Sequence, residues 1–114
     1  MAKLADVTLT AIFNLKRQLV ALLDAATATE YVILQEFGET EATLPELESL
    51  DNINQRLRNP YNRLHKLLQQ AAECQPVASA DVLELLYRTI DNGEAAADAS
   101  EASTQEIKRS WNLP

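Results

Sequence analysis

His65 is the only histidine among 114 residues, so acid–base chemistry would have to run through it or through carboxylates. On a helix its neighbours three and four residues away are Tyr61, Asn62, Leu68 and Gln69, and none of them is a carboxylate that could orient the ring. A hydrogen-bonded or solvent-facing histidine accounts for it better than a catalytic one. Cys74 is the only cysteine, and one His and one Cys nine residues apart cannot close a zinc site. No Glu-x-x-His pair of the di-iron bundle type is present. Glu36, Glu39 and Glu41 surround Gly38 without the spacing of a calcium loop. The two glycines, Gly38 and Gly93, lie 55 residues apart and cannot form a phosphate-cradling loop. The sequence therefore predicts no catalytic residue, no bound metal and no cofactor.

Charge is the feature that invites a functional reading. The net charge is −7, yet residues 52–72 contain no Asp or Glu while Arg56, Arg58, Arg63 and Lys66 contribute +4. Residues 1–50 hold eight acids against Lys3, Lys16 and Arg17, and residues 73–102 hold seven against Arg88 alone. On a helix Arg56, Arg63 and Lys66 fall near one face, with Arg58 on an adjacent one. Two explanations compete. The basic window can match the acidic first segment along the rim of a shared seam, or it can receive an acidic protein partner. Nucleic acid fits poorly, because its binding domains carry an excess of base unopposed by nearby acids.

The elements that must position these residues are helices. Hydrophobic residues make up 46% of the chain, with only two Gly and four Pro to punctuate it, and Ala, Leu, Glu and Gln dominate. Ile12, Leu15, Leu19, Leu22, Ala26, Thr29 and Ile33 follow the alternating three-and-four spacing of a helical seam, which predicts a helix from about residue 8 to 37. Phe13, Val20 and Leu23 widen its stripe towards a second neighbour. A capping-box pattern at Thr27 and Glu30 is the one sign of a division within it. Gly38 is placed to end the helix, and Thr43, Pro45 and Glu46 read as the N-cap, first turn and capping-box partner of the next.

That second segment carries Leu47, Leu50, Asn54, Leu57, Tyr61, Leu64, Leu68 and Ala71 at the same spacing across Pro60, which predicts a kink or a break there. The short loop between the two segments makes them antiparallel neighbours. Ser79 caps a third helix of about a dozen residues that Gly93 closes. Residues 94–102, Ala-rich and acidic, read as a solvated linker or weak helix, and the capping pattern at Ser103 and Glu106 allows a short docked helix over 103–114. The expected fold is thus an all-α helical bundle over residues 1–93 with this linker and tail.

The expected location is cytoplasmic. The lone Cys74 suits a reducing compartment, Asp6 interrupts any signal peptide, and no run approaches the roughly 18 apolar residues of a membrane span. The leading functional expectation is a non-catalytic protein-interaction or regulatory module that docks a partner through Arg56, Arg58, Arg63 and Lys66. Self-association as a homodimer is expected through Val82, Leu85, Leu86 and Ile90 together with the second stripe of the first helix. The alternative is a small-ligand-binding or enzymatic bundle with a pocket near Asn54, Tyr61 and His65. Polar Thr8, Thr29 and Asn54 in the seams read as register-setting residues.

Overall fold

The computed structural model describes residues 4–114, which form three helices and no strand. They are α1 (Asp6–Phe37), α2 (Leu44–Glu73) and α3 (Ala80–Ser110). At 1.5 Å per residue each is about 45 Å long, and the body measures 56 × 20 × 18 Å, so all three run along its length. Every pair of helices is in contact, α2 and α3 most extensively. Leu4, just before α1, and Leu9, in its first turn, lie beside Leu68 and Ala71 near the end of α2. Phe37, at the end of α1, packs its ring 4.9 Å from that of Trp111 just beyond α3.

The α1 seam is buried as its spacing predicts: Ile12, Leu15, Leu19, Ala26, Thr29 and Ile33 all face the core. α1 is also undivided at Thr27, whose hydroxyl donates to the Leu23 carbonyl one turn back instead of capping a new helix. Gly38 ends α1 at φ 73°, a left-handed conformation that costs glycine little.

The α2 start differs from expectation. Thr43 makes no side-chain cap to α2 and no capping box with Glu46. Its buried hydroxyl instead donates to the Gly38 carbonyl (2.8 Å) and accepts from the Thr40 N–H (2.8 Å), while the Thr40 hydroxyl accepts from the Thr43 N–H (3.2 Å). The reciprocal cap therefore sits one turn upstream, where it ties the connection to the end of α1.

α2 runs unbroken through Pro60, which is buried. Its central line is Leu50, Ile53, Leu57, Pro60, Leu64, Leu67 and Ala71. Asn54, Tyr61 and Leu68, expected on the seam, sit half-buried on one flank. The stripe is wide because α2 serves two neighbours, and the spacing alone does not say which line is central.

The largest correction concerns α3. Gly93 does not end it, and of the two readings of residues 94–102, linker or weak helix, the helix holds, so the expected short third helix, intervening stretch and docked tail are one 31-residue element. Gly93 faces the core at a close crossing, where an added Cβ would lie 3.0 Å from Leu15 Cδ2 and 3.4 Å from Pro60 Cβ. The missing side chain leaves room for that proline ring and leucine. Beyond it Ala97, Ser100, Thr104 and Ile107 continue the buried line, and alanines favour helix wherever packing permits. Asn112, at φ 54°, closes α3 with the Leu113 N–H on the Lys108 carbonyl (2.8 Å) and the Asn112 N–H on that of Arg109.

Ser79 does cap α3, accepting from the Val82 N–H at 3.2 Å. Ser79→Ala is expected to lower stability by about 1 kcal/mol, read as a lower urea midpoint at unchanged slope.

Candidate interaction surface

Arg56, Arg58, Arg63 and Lys66 are all exposed on α2. At 100° per residue they cover an arc of about 160° on its outer side, over about 15 Å of helix. Arg56 and Arg63 stand on the rim towards α3, where they line a shallow groove with Asn59, Thr89 and Asn92. Arg58 is on the far flank, its Nε donating to Asn54 Oδ1 at 2.9 Å. Lys66 lies between these flanks. Exposed neutral residues fill the remainder of the face: Asn52, Gln55, Asn59, Asn62, Gln69 and Gln70.

The competing explanation, that acids of the bundle neutralise this window, finds no support in the ion pairs. Among the described residues the only salt bridge is Arg88 to Glu84 (3.1 Å), within α3. None of the four cations of α2 has a carboxylate within 4.0 Å. The reason is geometric. Asp91, Glu94, Asp98 and Glu101 recur at three- and four-residue spacing on the side of α3 away from Asn92 and Ala96, which border the α2 groove. Those four acids face away from the α2 cations, whereas Arg56 shares a second shallow groove with Glu46 and Glu106, neither of them within 4.0 Å of it.

The other candidates are placed as follows. Val82 is half-buried and Leu85 exposed, but Leu86 is wholly buried in the core and Ile90 packs against it. Leu86 therefore belongs to the fold of one chain and is removed from the self-association surface expected there. Within that segment Leu83 and Ile90 are half-buried, whereas Leu85 and Tyr87 remain exposed.

Asn54, Tyr61 and His65 share one flank of α2 by spacing, and the Lys16 ammonium stands 5.2 Å from the Tyr61 ring centroid. His65 is exposed. Cys74 is half-buried at the C-terminus of α2, its N–H bonded to the Gln70 and Ala71 carbonyls. Glu36, Glu39 and Glu41 are exposed around the first connection. Among the described residues no group of three or more His, Cys, Asp or Glu is arranged to hold a metal.

The buried polar side chains mostly satisfy themselves. Thr29 and Thr89 donate to the carbonyls of Ala25 (2.8 Å) and Leu85 (2.7 Å) on their own helices. Ser100 Oγ is buried without a hydrogen-bond partner.

What the sequence reading missed is the α3 half of the surface, Thr89, Asn92 and Ala96, which borders the Arg56–Arg63 rim. The signal was present: Leu86, Gly93, Ala97, Ser100, Thr104 and Ile107 keep helical spacing through the glycine. No helix of the described residues is long and apolar enough to cross a membrane. No family model, curated protein or solved structure matches the chain.

Proposed function

We propose that the protein is a non-catalytic interaction module, an up-down-up three-helix bundle whose α2 face of Arg56, Arg58, Arg63 and Lys66 docks an acidic protein. The observation that carries this reading is that four exposed cations lie within an acid-free stretch of α2, residues 52–72, and that among the described residues none of them has a carboxylate within 4.0 Å. Exposed charges of one sign steer an oppositely charged partner and set its orientation. The surrounding amides of Asn52, Gln55, Asn59 and Asn62 add neutral donors and acceptors suited to a partner's polar rim.

Protein is favoured over nucleic acid by the setting of the patch. The same molecule presents a row of carboxylates on α3 and carries −7 overall, so a phosphate polymer longer than the patch meets repulsion at its edges. An acidic helix of similar length does not.

The test compares the wild-type chain with a variant bearing Arg56→Glu, Arg58→Glu, Arg63→Glu and Lys66→Glu as baits in cell extract, with eluates assayed for protein and nucleic acid. All four positions are exposed, so circular dichroism should show the same helix content in both. The expected result is a specific acidic protein held by the wild type and reduced at least about tenfold with the variant. Equal retention by both baits, or nucleic acid as the retained species, would reject the reading.

A further inference from the structure

We infer that α1 carries a second, outward-facing seam on which a second copy of this chain docks, α1 against α1 in antiparallel orientation. This inference rests on different residues from the α2 face and stands independently of it.

Leu9, Phe13, Lys16, Val20, Leu23, Thr27, Tyr31 and Leu34 repeat at three- and four-residue intervals, about 100° around α1 from the buried line of Ile12, Leu15, Leu19, Ala26 and Ile33, with Leu9, Lys16 and Leu23 half-buried along its inner edge. Four large members of this stripe face solvent: Phe13 is 54% exposed, Val20 49%, Tyr31 63% and Leu34 40%. Single exposed apolar residues are ordinary on a monomer, whereas a continuous stripe along a helix marks a contact. Lys16 lines the α2 edge of the stripe, its ammonium 5.6 Å from the Phe13 ring centroid and 5.2 Å from that of Tyr61 on α2.

Charge identifies the occupant. The only bases in α1 are Lys16 and Arg17, in its first half, where Asp6 in the first turn is the one acid, and Asp24, Glu30 and Glu36 lie in its second. Two copies laid parallel would set like charges beside each other. Laid antiparallel about the midpoint of α1, near residues 21 and 22, they bring Val20 against Leu23 of the second copy and Leu9 against Leu34. The same register sets Arg17 beside Asp24 on one rim and Lys16 towards Glu30 on the other. Each contact occurs twice by the two-fold symmetry, which makes this surface self-complementary. A partner of unrelated sequence has no reason to meet that palindrome.

The test is sedimentation equilibrium of the full chain from 1 to 100 µM with four variants, a range chosen to bracket about micromolar affinity. The wild type is expected at twice its 12.7 kDa monomer mass. Val20→Glu, at an exposed position, should raise the dimer dissociation constant at least about tenfold with unchanged circular dichroism. Arg17→Asp and Asp24→Arg alone should each weaken the dimer, and the two together on one chain should restore it, because each then faces its opposite on the other copy. A wild type that stays monomeric throughout, a dimer indifferent to Val20→Glu, or a double swap weaker than either single change would overturn the inference. A parallel pairing would appear as failure of the double swap to rescue.

Discussion

Leu86→Ala is expected to cost about 2–5 kcal/mol of folding stability, the usual penalty for deleting a buried leucine side chain. Leu86 has no exposed surface and joins the core formed by Leu15, Leu19, Leu57 and Leu64. Three slim helices around a single core layer give the vacated volume few ways to refill, so the loss should fall towards the upper part of that range. For a domain of this size it corresponds to a melting temperature lower by about 10 °C or more. Leu85→Ala, one residue earlier and 37% exposed, should change stability by less than about 1 kcal/mol. The pair measures directly whether this segment is core or contact surface. Equal effects at the two positions would contradict the burial described for α3.

Gly93→Leu is expected to destabilise by about 3 kcal/mol, the upper end for overpacking a filled core. Three side-chain carbons beyond Cβ would enter the space held by Leu15 and by the Pro60 ring, which cannot turn away. Gly93→Ala is a closer contest. Alanine gains about 1 kcal/mol of helix propensity over glycine, and its methyl meets Leu15 Cδ2 at 3.0 Å. That contact is the end of a flexible side chain, so the two effects should nearly cancel. Thermal unfolding of both variants checks the prediction. If leucine were tolerated at Gly93, α3 could not cross α1 and α2 as closely as the fold requires.

The tightness of that crossing also explains how α2 continues through a proline. Pro60 forgoes a hydrogen bond to the Arg56 carbonyl and on an exposed helix would cost about 3 kcal/mol. Here the ring is buried against Gly93 and helix continues on both sides of it. A residue that breaks an isolated helix and a residue that weakens one meet, and each makes space for the other.

Much of the architecture was legible because it depends on local chemistry. The α1 seam from Ile12 to Ile33, the left-handed stop at Gly38 and the Ser79 cap follow from spacing and from which side chains satisfy a helix end. What was not legible depends on neighbours. Gly93 reads as a stop when only its own helix is considered, and becomes an interior residue once Leu15 and Pro60 occupy the space beside it. The Ala-rich stretch after it resembles a linker in composition, yet small side chains are what a close helix crossing needs. The Thr-x-x-Glu pattern at Thr43 does not reveal that Thr40 and Gly38 lie within reach of the same hydroxyl.

The interaction surface divides in the same way. The acid-free window at residues 52–72 is visible as a string of letters. Whether its cations were already paired was not, because that depends on which side of α3 carries Asp91, Glu94 and Asp98. Conversely, Leu86 reads as surplus apolar surface on a short α3 and becomes core once α3 runs to Ser110.

The most direct test of the α2 docking face is site-specific photo-crosslinking in cell extract, with a photoreactive residue at exposed Asn62, between Arg58 and Arg63 and Lys66, and a control at exposed Ala99 on α3. The account predicts that position 62 captures a defined acidic protein, that 0.5 M salt reduces the yield as expected for contacts between exposed charges, and that position 99 does not capture it. Equal capture at both positions, or a salt-independent product at position 62, would contradict docking through the basic face of α2.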